Sequence, residues 1–173
     1  MLFRSRKLVS DVLTQFGRID AIANIAGFAP LQPMEDITAE LWKQCIDTNL
    51  SAIVSITAAV WPEFKKKRTG VIVNVSSMAS VDPFPQFSIY AAAKAGVNMF
   101  THCTAQEGQA FGVRAVAVAP GAVNTPMLRS LWDESKLPNH KTLAPEQVAE
   151  VIVGCITGKR PFTNGQTILL PSP

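Results

Sequence analysis

The chain has 173 residues, 47% hydrophobic and 17% charged, with a formal net charge of +3. That is enough for one domain with a sizeable core, and the composition excludes a disordered segment. The weak positive charge, with no basic stripe interleaved with aromatics, argues against nucleic acid, and no apolar run approaches a membrane span.

In chain order the pattern alternates helix and strand four times. Leu8, Val12, Leu13 and Phe16 recur at helical spacing, and Gly17 stops that helix. The basic start, Met1 to Lys7, leads into this helix and has no signal-type apolar core behind it. The run from Asp20 to Ile25 predicts a short buried strand. Thr38 can cap a helix beginning at Ala39 and reaching about Lys67, bent near Asn49. The basic cluster Lys65 to Arg68 ends it, where cations suit the helix dipole and solvent. Gly70–Val75 predicts a second strand, and Ser88 to near Phe111 a long alanine-rich helix stopped by Gly112. Val113–Val118 predicts a third strand, closed by Pro120 and Gly121. Pro145 opens a last helix through about Val153, and Gln166–Leu170 predicts a fourth strand.

Strands apolar on both faces that alternate with helices imply a parallel sheet covered on both sides. The fold class is therefore α/β, a doubly wound parallel sheet. In such sheets ligands bind beyond the carboxyl ends of the strands. Asn24 and Gly27, Ser76 and Ser77, and the stretch Pro120 to Thr125 all fall at those ends. On the long helix, Tyr90 and Lys94 are four residues apart and share a face. A phenol beside an ammonium group is a proton-transfer device, because a nearby positive charge favours the phenolate. Cys45, Cys103 and Cys155, with only His102 and His140, form no Cys-x-x-Cys pair and no metal site. A reducing compartment, the cytoplasm, is expected.

These residues together resemble the short-chain dehydrogenase/reductase family over nearly the whole chain. The family's Asn-Asn-Ala-Gly motif corresponds to Asn24-Ile-Ala-Gly27, with one departure. Its helix asparagine corresponds to Asn49, its Tyr-x-x-x-Lys to Tyr90 and Lys94, and its Pro-Gly turn with a following threonine to Pro120 through Thr125. Ser77, thirteen residues before Tyr90, fits the strand-end serine better than Ser76 does. A lone Tyr-x-x-x-Lys is weak, but five motifs in order on the expected elements are specific.

The resemblance implies an NAD(P)-dependent oxidoreductase that moves a hydride reversibly between a nicotinamide and a carbonyl or alcohol carbon. It implies NADP or NAD as cofactor, with NADP favoured on family grounds. It makes Tyr90 the general acid and base, with a pKa brought down from about 10 by Lys94 and the cofactor's positive charge. Ser77 would bind the substrate oxygen, and Lys94 the ribose hydroxyls. Asn49 would hold a water linking Lys94 to solvent, and Val123 and Thr125 the carboxamide. Asn24 would lie near the adenosine side or brace two loops. Ser77 as a mere strand-end partner and Tyr90 with Lys94 as a surface pair are the plain alternatives. The segment from Met127 to Leu143, with Leu128, Leu131 and Trp132, would close over a small-molecule carbonyl or alcohol. Phe84, Pro85 and Phe87 would line the same pocket or pack in the core. A homo-oligomer, dimer or tetramer, is implied through the helices around Asn49 and Tyr90.

One family motif is not in these residues. None of the ten glycines builds a Thr-Gly-x-x-x-Gly-x-Gly turn. The reading is a single, N-terminally truncated Rossmann-like domain, residues 1–173, with about four strands retained and roughly 60 or more residues lost. The first strand would then be a bare apolar edge. Two functions follow: a reductase or dehydrogenase, or a relative without hydride chemistry that acts as a binding or assembly subunit or as a cofactor-free proton-transfer catalyst.

Overall fold

The computed structural model describes residues 2–173. Helix α1 (Leu2–Phe16) leads to strand β1 (Ala21–Asn24), and α2 (Ala39–Ile46) and α3 (Ala52–Lys67) follow with a π turn, Asp47–Ser51, between them. Then come β2 (Gly70–Val75), α4 (Ser88–Gly108), β3 (Val113–Pro120), α5 (Pro126–Leu131), α6 (Pro145–Thr157) and β4 (Thr167–Leu170). The strands lie in the order β1-β2-β3-β4, all parallel. Each crossover therefore moves one place in the same direction across the sheet.

Alternation along the strands divides the core in two. Ile72, Val113 and Ala115 face one side, against Val9 of α1, Val60 and Phe64 of α3, and Ala105 of α4. Val73, Val116 and Val118 face the other, against Val148, Ile152 and Cys155 of α6. Helices thus cover both faces, as the apolar runs required. β3 is buried at every position except Arg114, which suits a central strand. Among the described residues β1 pairs only with β2. Its far edge is open, and Ile25 just beyond it is 61% exposed.

Local chemistry sets most element ends. The Thr38 hydroxyl caps α2 by accepting from Leu41 N at 3.1 Å. α1 ends at Gly17 and α6 at Gly158. The basic end of α3 is more engaged than a solvated helix end would be. Lys67 Nζ donates to the Ile19 carbonyl at 2.7 Å and to Asp20 at 2.6 Å, tying α3 to the start of β1. Arg68 donates to the Ala110 carbonyl at 2.9 Å, and Lys65 lies over the Phe111 ring. The short helix α5 has no counterpart in the sequence expectation. Only six residues long, it is carried by the Thr125 cap and by Pro126 at its first turn.

Candidate active site

The strand ends open into one cleft of about 490 Å³. The loop after β1 contributes Ile25, Gly27 and Ala29, the end of β2 contributes Val75 to Ser77, and the end of β3 contributes Pro120 to Val123. The first turns of α4 bring Tyr90 and Lys94 to the cleft wall, 6% and 2% exposed. Small residues on α4, Ala91 and Ala93, are buried beside them and let the helix pack closely.

The two serines after β2 divide their work. Ser76 donates its hydroxyl to the Lys94 carbonyl at 3.1 Å, which anchors α4 to the strand end. Ser77 caps the 3-10 turn Met78–Ser80, accepting from Ala79 N at 3.1 Å, and lines the cleft with Tyr90, whose phenol it draws down in pKa. The turn is fixed from below. Ser80 Oγ donates to the Ser77 carbonyl at 2.6 Å, and Asn98 Nδ2 donates to Ser80 Oγ at 2.8 Å. Asn98 lies one turn beyond Lys94 on α4, so one helix carries Tyr90 and Lys94 and also ties down the turn bearing Ser77.

Asn49 is fully buried inside the π turn. The extra residue widens the helix there and turns the amide inward. Its Oδ1 accepts from Phe28 N at 3.1 Å, and its Nδ2 donates to Phe28 O at 2.7 Å and to Cys45 O at 2.9 Å. Asn49 therefore clamps the loop after β1. A Cβ on Gly27 would stand 3.2 Å from Asn49 Oδ1 and 3.7 Å from Lys94 Nζ. Glycine keeps open a small gap flanked by an amide oxygen and an ammonium group.

The titration of the central pair runs against expectation. Burial pushes the Tyr90 phenol above its ordinary value, with the Ser77 hydrogen bond pulling it back. The Lys94 ammonium is itself desolvated, which brings it down to about 8. Its Nζ donates to the Val75 carbonyl at 2.7 Å and lies 5.6 Å from the Tyr90 ring centre. Sequence spacing put the two on one face, as found; it could not show that desolvation outweighs their mutual effect. Burial likewise pushes the Cys45 thiol up.

Ser77, Tyr90, Lys94, Val123 and Thr125 all line the cleft. The Thr125 hydroxyl is half-buried, near the Val123 carbonyl at 3.3 Å, and caps α5. Asn24 is not among the lining residues. It is register-paired with Asn74 and donates to Asn74 Oδ1 at 2.8 Å, while Asn74 Nδ2 donates to Thr101 Oγ1 at 2.9 Å. That polar chain crosses two strands and a helix, the bracing role. Asn74, Asn98 and Ser80 escaped sequence reading. For Asn98 a signal existed, since it follows Lys94 by one helical turn. No group of three or more metal-ligating side chains occurs among the described residues. No helix there is long and apolar enough to cross a membrane.

Residues 4–136 match the family model for the short chain dehydrogenases. The chain belongs to that family. It is 34% identical over 169 residues to a 3-oxoacyl-[acyl-carrier-protein] reductase FabG of Thermotoga maritima, covering 94% of this chain and 69% of that protein. It is 32% identical over 172 residues to a 3beta-hydroxysteroid dehydrogenase 1 of Eggerthella lenta, covering 94% and 66%. The chain thus spans about two thirds of the length of these relatives. Among solved structures, gox2181 superposes with a TM-score of 0.89 at 26% identity, covering 99% of this chain and 71% of that one. ElxO with NADP bound superposes with a TM-score of 0.89 at 22% identity, a likeness of fold, covering 98% and 73%. The four-stranded parallel sheet with helices on both faces is thus the Rossmann-like arrangement expected.

Proposed function

We propose that residues 1–173 form one domain, the catalytic and C-terminal part of an NADP- or NAD-dependent oxidoreductase acting on a small carbonyl or alcohol. The observation that carries this reading is the convergence of Ser77 with buried Tyr90 and Lys94 on the wall of one cleft. The nicotinamide, when bound, supplies or accepts the hydride. The gap over Gly27, between Asn49 Oδ1 and Lys94 Nζ, suits a hydroxyl-bearing group such as a ribose. A neighbour of the same fold is named for its bound NADP, which favours NADP of the two.

Tyr90 is the acid. Reduction leaves an alkoxide that needs a proton, and a phenol held protonated by burial has one to give at neutral pH. Ser77 donates to the same oxygen as its charge grows. Lys94, with a pKa of about 8, carries its charge at neutral pH. From its place on Val75 O it would hold the ribose hydroxyls of a bound nucleotide, and its charge there would favour the phenolate. Asn49, whose amide oxygen opens on the gap, holds the water through which Lys94 exchanges protons. Val123 and Thr125 would hold the carboxamide of a bound nicotinamide, and Asn24 would brace the strand end on the adenosine side. Three free cysteines fit a reducing cytoplasm, and exposed Val54 of α3 and Met99 of α4 fit a homo-oligomer built on those helices.

The test is NADPH oxidation with a panel of ketones, together with titration of NADPH and NADH against the purified chain. Tyr90→Phe is expected to lower turnover at least about a hundredfold with cofactor binding kept. Undiminished turnover in Tyr90→Phe refutes the acid role, and failure to bind either nucleotide favours a relative without hydride chemistry.

A further inference from the structure

Reading Tyr90 as the acid leaves the far wall of the cleft without a role. That wall is aromatic. The Phe84 and Phe87 rings stack at 4.4 Å between centres with 22° between planes, and Trp132 meets Phe84 edge-on at 5.4 Å. Phe87 lies 4.7 Å from the Tyr90 ring, so the wall runs continuously up to the proposed acid. All four rings line the cleft. Phe84 is 42% exposed, whereas Phe87 beneath it is buried.

The turn between the two phenylalanines is strained and tied down. Gln86, between the two phenylalanines, has φ of 69°, the left-handed region that non-glycine residues rarely occupy. Its carbonyl accepts from Gln32 N at 2.8 Å, which ties this turn to the loop after β1. Strain of this kind persists only where the surroundings over-determine it, and it gathers at ligand sites. Among the described residues, Lys94 is the only basic residue lining the cleft, and it already bonds Val75 O. The one acidic residue there is Asp82. Nothing in the cleft favours an anionic handle on the part of the substrate it encloses.

We propose that Phe84, Phe87 and Trp132 form a ring-recognition subsite, and that the substrate is an uncharged ketone or secondary alcohol whose carbonyl carbon adjoins an aromatic or flat fused ring. Rings prefer offset-stacked or edge-on partners, and the wall presents both geometries beside the Tyr90 hydroxyl. The proposal rests on the oxidoreductase reading for which carbon reacts, but the subsite itself needs only binding.

Acetophenone and hexyl methyl ketone decide it, because they have the same number of carbons and differ in the ring. The linear ketone is the more hydrophobic of the two. A merely greasy cleft would therefore bind it more tightly. Calorimetric titration of each into the purified full chain is expected to show acetophenone binding about tenfold more tightly. Phe84→Ala should erase that preference, and Phe84→Tyr should retain it; Phe84 is part-exposed, so neither change empties the core. Equal affinities, tighter binding of hexyl methyl ketone, binding of neither, or a preference that survives Phe84→Ala would each overturn the proposal. A ring preference without turnover in the presence of NADPH supports the subsite and counts against the oxidoreductase reading alone.

Discussion

Replacing Lys94 with methionine tests the desolvation on which the site's electrostatics depend. The ammonium is 2% exposed and falls from an ordinary 10.5 to about 8. That difference, 10.5 − 8 = 2.5 units, is about 3.4 kcal/mol at 1.36 kcal/mol per unit, an order-of-magnitude figure. The sign follows from proton counting. Between the two values the unfolded chain holds a proton on Lys94 that the folded chain has shed, so stability rises with pH there. Below about 8 both states are charged and the full cost is present; above 10.5 both are neutral and it has vanished. From about pH 7.5 to about pH 9.5 the native chain should gain about 2 kcal/mol through this group. Lys94→Met removes that gain. It also leaves the Val75 carbonyl without its donor, a loss of about 1–3 kcal/mol that offsets much of the relief at neutral pH. The diagnostic is therefore the slope. Urea unfolding of both proteins across this pH range should show the variant's stability failing to rise where the native protein's does. The comparison is repeated in a Cys45→Ser background, because the Cys45 thiol and the Lys94 ammonium feel each other's charge. Parallel curves would refute the account.

Three further changes probe other parts of the site. Tyr90 is the sole tyrosine, so alkaline absorbance follows its ionisation directly. Ser77→Ala should move that titration upward by removing the hydrogen bond that lowers it. Asn98→Leu, which frees the turn bearing Ser77, should move it the same way by less, and not at all in the Ser77→Ala background; a titration unmoved by Ser77→Ala contradicts this. Asn49→Ala strands the amide of Phe28 and the carbonyls of Phe28 and Cys45. It should cost about 3 kcal/mol by urea midpoint, and a loss under about 1 kcal/mol would mean that water takes over those bonds. Gly70→Ala would bring a Cβ to 2.5 Å from Phe64 Cγ in a fully buried contact. Overpacking there should cost about 1–3 kcal/mol, with part recovered in combination with Phe64→Leu.

Several features of the fold were legible because they depend on neighbours in sequence. The apolar run Gly70–Val75 became β2 with the same bounds, and the bend foreseen near Asn49 is the π turn Asp47–Ser51. Thr38 caps the helix it was expected to cap. α5 was missed because six residues offer too little periodicity to register, and its cap, Thr125, was read for a different purpose. The Lys65–Arg68 cluster looked solvated because sequence does not show that Ile19, Asp20 and Ala110 come within reach of it.

The order of strands and helices, the parallel sheet and the face shared by Tyr90 and Lys94 were determined by the sequence itself, since apolar period and helical spacing are short-range properties. Tertiary structure alone decided which groups lose water and which partners they then find. It lifted the phenol and lowered the ammonium through burial, sent Lys94 to the Val75 carbonyl, gave Asn24 to Asn74, and tied Ser77 to Asn98 through Ser80. Desolvation and hydrogen-bond choice depend on segments many residues apart, and no local pattern encodes them.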